Sequence, residues 1–462
     1  MKMNIGRAVA LVFVFAYTVC CSAQSPLPYP KATSDRIIHQ KTAMLPLPVN
    51  MPFQDPDFGS KMVRATDETT NFRLPGTYLI TESSGQLNEW SVNSDKFYVL
   101  GSGGQTLAFS FDPTTMLIGR LPNAGQGKAL LVAVESPTFS SVDPDLIYGT
   151  TDISLLTISS YRFSTGILTN VIDTTKCGTQ PPLVRGSGIY SDSLTVSADD
   201  NRFVIDEGGS AVGKEPFVIV YDKTLGCRWY NTQTGQIGGQ WGPLGNSPIP
   251  SFLVQHAYIS KSGNYVRIMT YNGLYIWDLS TLNVTSCYEE ECYGYGTTGY
   301  NTLVNAPGVL DGFEIVQRPL SNLSQITELN MPLVPHNWGQ NIHFTWSDVN
   351  VSDNSPVCAS SYMYGDTTGS ITLPFEGEIF CVETDGLAST IWRFAHNRAT
   401  SIEDEDEGYY YFNSEPLGNV SPDGRFFMFT SNWDAQLGNQ SDGTPRSDVW
   451  IVNLNRQGPA LH

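Results

Sequence analysis

The stretch VSPDGRFFMFTSNWD, residues 420–434, decides the fold. Pro422 pre-sets the backbone of a tight turn, and Gly424 gives its last corner the freedom it needs. Phe426, Phe427, Met428 and Phe429 then follow without a polar interruption. Strict alternation would mark a strand with one wet face. An unbroken apolar run behind a turn marks a strand covered on both faces. What covers it depends on whether the chain repeats it.

The chain does repeat it. ISKSGNYVRIM (259–269) has the same Ser-x-x-Gly-x-aromatic plan. SADDNRFVI (197–205) and SVNSDKFYVL (91–100) carry it with what reads as one extra turn residue, and SVDPDLIYG (141–149) is a degenerate copy. A second segment type follows each: an apolar strand, a polar residue and a turn. It reads LAFSFDPTTM (107–116), ISSYRFSTGI (158–167), FVIVYDKTLG (217–226), LYIWDLSTLN (274–283), FEIVQRPLSN (313–322), EIFCVETDGL (378–387) and VWIVNLNRQG (449–458), seven in all. NTLVN (301–305) and IHFTW (342–346) are the partners of the fifth and sixth.

A small antiparallel sheet cannot bury both of its faces alone. Packing such sheets face to face around an axis does. The fold expected is therefore all-β: a seven-bladed β-propeller of four-stranded antiparallel blades, spanning 54–458 as one domain. MVRATD (62–67) lies ahead of the first full blade and is expected to give a strand to the last blade, closing the ring. Residues 24–53 are rich in proline and polar side chains and read as a linker.

Residues 1–23 read as a secretory signal: Lys2 and Arg7, then the apolar run Ala8 to Val19, then Cys21-Ser22-Ala23 as a cleavage site. The alternative is a lipoprotein acylated at Cys20 or Cys21. No later run is long and apolar enough to suggest a second membrane segment. The expected location is secreted or periplasmic. Six cysteines remain after cleavage, which favours disulfides in an exported chain, with 15 possible connectivities. Proximity in sequence suggests Cys287–Cys292, Cys177–Cys227 and Cys358–Cys381.

The formal charge is −19, and about −21 without Lys2 and Arg7. A basic nucleic-acid-binding surface is not expected. A polyanionic ligand would need a local cation. Gly-x-Ser-x-Gly, His-Glu-x-x-His and phosphate-loop motifs do not occur. SIEDEDEG (401–408) reads as a solvated acidic loop, with a calcium site as the alternative.

VSPDGRFFMFTSNWD followed by RSDVWIVNL resembles the last blade of TolB-like and oligogalacturonate-lyase-like propellers. LVQHAYISKSGNYVRI, GYNTLVN, NIHFTW, IWRFAHNR and DPDFGSKMVRATD resemble blocks of related secreted bacterial propellers, so the likeness covers 54–456. The lyases hold a divalent metal with three histidines and a glutamine. A further histidine or basic residue removes the proton beside a uronate carboxylate. The resemblance implies His256, His343 and Gln340 as weak candidates; the residues themselves add His336 as a weak metal ligand beside them, for calcium or manganese, and Arg398 beside His256 as a weak catalytic candidate, with histidines bonded to loop backbone as the alternative. Two histidines expected before the last Ser-Pro-Asp-Gly turn are replaced by Pro416, Leu417, Gly418 and Asn419, and Tyr293 or Tyr295 stands where another is expected. Lyase activity is therefore expected to be absent or feeble.

The expected function is recognition of a glycan or an extracellular protein, by a monomer, through loops at one end of the axis. His256, Tyr293, Tyr295, His336, Trp338, Gln340 and His343 are the candidate ligand-binding residues, joined by Tyr300. The alternative is a metal-dependent polysaccharide lyase. Arg398 is expected to pair with the acidic loop at 403–407. Trp433 is read as a blade-packing aromatic or as a sugar-stacking one.

Overall fold

A computed structural model describes residues 28–454, apart from 72–73, 83, 103–104, 122–136, 186–188, 209–215, 250, 271–272, 289–295, 307–314, 331–339, 348, 364–368, 385–389, 401–402, 405–408, 411–413 and 442. Seven antiparallel sheets are arranged as the blades of a propeller. Blade four shows the plain form: His256–Ile259, Tyr265–Thr270, Gly273–Asp278 and Val284–Tyr288, paired in that order. Each of the seven second-type segments supplies the third strand of a blade, from Gln105–Phe111 in blade one to Asp448–Asn453 in blade seven. Two blades exceed four strands. Blade three adds Gln236–Gly239 and Gly245–Asn246, and blade seven has five strands.

The quoted stretch sits in blade seven, and its run is buried on both sides as expected. Phe427 and Phe429 pack with Cys381, Trp392 and Phe394 of blade six. Phe426 and Met428 pack with Phe97, Phe109 and Phe111 of blade one. Each such side chain removed from water contributes roughly 1.5–3 kcal/mol. In the turn, the Gly424 amide donates to the Ser421 carbonyl (2.8 Å), with Gly424 at φ 67°. Ser421 Oγ accepts from the Phe426 amide (3.0 Å).

The same turn recurs without a length change. Ser94 (φ 57°) and Asp200 (φ 57°) occupy the position of Gly263 and Gly424. The amides of Lys96 and Arg202 donate to Ser91 and Ser197 at the spacing of Phe426 to Ser421. The extra turn residue expected in these two copies is therefore absent. Their first aromatic is simply moved one place along the strand.

Lys61–Arg64 closes the ring on Asp448–Asn453, with Met62 opposite Val452 and Val63 opposite Ile451. Phe53–Gln54 adds a fifth strand outside it. The segment with linker composition is laid against blades six and seven over its described part. Tyr29 is buried edge-on to Trp392 and Phe394, Thr33 bridges Arg393, and the Met44 carbonyl accepts from the Trp433 indole. Cys177–Cys227 and Cys358–Cys381 are disulfides, the second directly across two neighbouring strands of blade six. Cys287 is disulfide-bonded, and its expected partner Cys292 lies outside the described residues. Among the described residues no helix is long and apolar enough to cross a membrane.

Candidate functional site

In an antiparallel meander the first strand starts, and the second ends, at the same end of the blade. The propeller thus has a turn end, bearing the Ser-x-x-Gly turns, and a strand-start end.

The turn end is filled by the protein itself. Between Leu79–Ile80 and Lys96–Gly101 of blade one, residues 84–90 reach across the axis. Gln86 exchanges hydrogen bonds with the backbone of Thr298 in blade five (3.0 and 2.7 Å). Gly85 bridges Thr345 of blade six. The Leu87 carbonyl accepts from Asn419 of blade seven (2.8 Å), and the Asn88 amide group donates to Phe139 of blade two (3.0 Å). Lys261, in the turn of blade four, donates to Asn88 Oδ1 (2.6 Å). One segment can reach the first strands of blades two, five, six and seven only if they face a common axis. Nothing in TESSGQLNEW (81–90) distinguishes it from an ordinary surface loop, so sequence reasoning missed it.

At the strand-start end stand the two described histidines of the candidate site. His256 begins the first strand of blade four, nearly buried, with Nδ1 3.1 Å from Ser193 Oγ of blade three. Beside Ser193, Ser191 donates to Glu207 (3.0 Å), whose carboxyl burial pushes up to about 8. His343 lies in the first strand of blade six, Gln340–Thr345. Its Nε2 is 3.2 Å from Glu415 Oε2, and its ring stacks on Tyr362 at 5.3 Å. The two histidines thus have separate local partners on blades separated by blade five. Gln340 opens the strand of His343. Tyr293, Tyr295, His336 and Trp338 lie outside the described residues. Among the described residues no three His, Cys, Asp or Glu side chains are grouped to hold a metal ion.

Tyr300 does not belong to this end. The first strand of blade five is Thr297–Thr298, NTLVN supplies the second, and Tyr300 stands in the turn between them. Its amide and that of Asn301 donate to Asp353 of blade six (2.8 Å for Asn301). IHFTW, by contrast, belongs to the first strand of its blade, and Val357–Met363 is the second.

Arg398 is fully buried beneath the N-terminal arm. It donates to the Thr42 carbonyl (2.8 Å), approaches Asp57 (3.8 Å) and Asp434 (3.7 Å), and lies over Trp433 (5.2 Å). The side chains of the acidic loop at 403–407, its expected partner, lie outside the described residues. Asp57 lies between the two outer strands of blade seven and Asp434 follows its second strand, which sequence proximity could not reveal. Neighbouring His396 is held down to about 3 by burial, against the pull of Asp57. Trp433 is 0% exposed and stacked on Trp450 at 3.8 Å, so the sugar-stacking reading is wrong and the blade-packing one right. Arg446 joins Asp448 (3.1 Å), which also binds Arg64 of the closing strand, making an internal polar network in blade seven.

No family model and no curated protein matches the chain. Among solved structures it resembles an oligogalacturonate lyase from Vibrio parahaemolyticus, with TM-score 0.52 and 10% identity over 87% of this chain and 96% of that one. A chain of a mitotic checkpoint complex aligns at TM-score 0.36 with 12% identity, covering 70% of this chain and 90% of that one, too low to carry weight. At 10% identity the first likeness establishes architecture: this chain is a seven-bladed β-propeller with the fold of the oligogalacturonate-lyase structure.

Proposed function

We propose that the protein is an exported binding propeller that recognises a carbohydrate or a protein partner through the strand-start end of blades four to six. The observation that carries this reading is the asymmetry of the axis. Residues 84–90 fill the turn end, and the strand-start end carries polar side chains on inner strands, His256 beside Ser193 and His343 beside Glu415. In sequence Tyr293 and Tyr295 precede the first strand of blade five, and His336 and Trp338 that of blade six; such aromatic faces with polar tips suit sugar stacking. Two disulfides fit an oxidising compartment.

Glycan-array binding by the exported chain, weakened at least tenfold in Trp338→Ala and Tyr295→Ala, is the expected result. Unchanged binding in both variants would remove this site. Turnover of oligogalacturonate with added manganese or calcium, measured as unsaturated product and abolished in His256→Ala, would replace the reading with a lyase.

A further inference from the structure

Trp433 (φ 53°), Asp434 (φ 55°) and Ala435 (φ 59°) form a run of three left-handed residues, none of them glycine. Every other non-glycine residue at positive φ among the described ones is isolated in the chain. The left-handed form crowds Cβ against the following carbonyl oxygen. Single residues bear that cost, whereas a consecutive run persists only where its surroundings over-determine it. Neighbouring groups of blades six and seven supply part of the hold. Ser431 Oγ accepts from the Trp433 amide (2.9 Å), and Asn432 Oδ1 accepts from the Ala435 amide (3.3 Å). The Asp434 amide donates to the Arg398 carbonyl (2.6 Å).

The N-terminal arm supplies the rest, from within residues 41–44. Lys41 pairs with the Asp434 carboxylate, and the Thr42 carbonyl accepts from Arg398 (2.8 Å). The Met44 carbonyl accepts from the Trp433 indole (2.9 Å) and from the Gln436 side-chain amide (3.4 Å). All of these contacts go together if the arm lifts, and the three residues keep their backbone cost. The arm can lift without opening a blade. Among the described residues no strand precedes Phe53–Gln54, and Thr42 and Ala43 are exposed. The turn stands in the connection between the second and third strands of blade seven, at the strand-start end of the propeller. There Lys41 and Arg398 line a small recess with Tyr362, whose ring stacks on His343.

We propose that residues 41–44 are a strap, and that the turn at 433–435 is a loaded element which the strap keeps in its left-handed form. Lifting the arm releases the turn and loosens the rim of the strand-start end on the side of His343. The coupling runs both ways, as thermodynamic linkage requires: whatever disfavours the left-handed run also lifts the arm. The bearing of the strap on recognition rests on the function proposed above, but the strap itself is measured without a ligand.

Two measurements on the full exported chain test the two directions. Hydrogen exchange read by mass spectrometry follows the turn. Lys41→Met keeps the stem and removes the charge, and exchange across 433–436 should rise at least tenfold, while strand Thr157–Arg162 of blade two stays as in wild type. Limited trypsin digestion follows the arm, because cleavage after Lys41 requires its side chain to leave Asp434. Ala435→Val changes only the turn: residue 435 is exposed, and a β-branched side chain tolerates a left-handed backbone poorly. Cleavage after Lys41 should then be at least tenfold faster. Ala435→Gly, which has no Cβ to crowd, should be cut there no faster than wild type. Thermal unfolding identifies the variants that fold, and either Lys41→Met or Ala435→Val alone can refute the strap. A change below twofold in the turn of Lys41→Met, or in the cleavage of Ala435→Val, would overturn it.

Discussion

Gly85 lies side by side with Thr345 in a parallel bridge across the axis, so close that a Cβ built on Gly85 falls 2.2 Å from the Phe344 carbonyl oxygen and 2.7 Å from Thr345 Cβ. Backbone of blade six occupies that space and has no flexible end to move aside. Gly85→Ala should therefore lower stability by about 1–3 kcal/mol, the usual cost of forcing a methyl into packed structure. Urea unfolding checks it. A change under about 0.5 kcal/mol, the scale of an ordinary surface substitution, would mean that the segment does not sit against blade six.

Trp433 lies between the Arg398 guanidinium and the Trp450 ring, without exposure. Its removal leaves a cavity at the seam of blades six and seven. Trp433→Ala should cost about 3–5 kcal/mol. Glycan binding should be unchanged at a temperature where the variant is folded, and calorimetry together with thermal unfolding separates the two effects.

Glu207 gives the pH dependence a sign. Its carboxyl rises from the ordinary 4.5 to about 8 because it is buried. Below 4.5 it is protonated in both the folded and the unfolded chain. Between about 4.5 and 8 the unfolded chain releases the proton and the folded one keeps it, so stability falls as pH rises. The loss is on the order of a few kcal/mol across the window. Glu207→Gln should remove this component while keeping an acceptor for Ser191. His396 works in the other direction: neutral in the fold down to about 3, it costs stability as pH falls below its ordinary 6.5. The difference between wild type and Glu207→Gln, measured by urea unfolding from pH 4 to 9, isolates the glutamate. A difference constant with pH would refute its burial as a protonated acid.

Peptide mapping under non-reducing conditions should recover Cys177 joined to Cys227 and Cys358 joined to Cys381. Replacing Cys177 and Cys227 by serine releases a link across 50 residues and should cost about 2–4 kcal/mol. Recovery of either pair as free thiols would contradict the structure.

The blades were readable because their signals are local. The Ser421–Gly424 turn and the run Phe426–Phe429 lie within nine residues, and each third strand carries its own polar stop. Even the miscounted turns at 91–94 and 197–200 kept the blade number, since Ser94 and Asp200 reach the left-handed conformation that glycine adopts freely. What stayed hidden depends on distance. Arg398 meets Asp57 and Asp434, and Gln86 meets Thr298 more than two hundred residues away. No periodicity announces such pairs. Tyr300 went to the wrong end because blade five has a first strand of only two residues, too short to mark which side of the turn a neighbour occupies. Tyr293, Tyr295, His336 and Trp338 stand as the expectation left them, outside the described residues.

The closing strand imposes an order on how the chain becomes a ring. Val63 pairs with Ile451, so one of the first strands to leave the ribosome has its partner near the last. Until then its edge is open, and the long loop it must close makes the step entropically slow. The axial segment shares the constraint. It belongs to blade one, yet its partners Thr298, Thr345 and Asn419 arrive two to three hundred residues later. An unfinished propeller therefore has an empty axis and two unpaired sheet edges. A chain shortened at its C-terminus would lose Asp448–Asn453 and the pairing of Lys61–Arg64 together. Its exposed edges would favour association between copies, so truncated forms should be recovered as aggregates sooner than as shorter monomers.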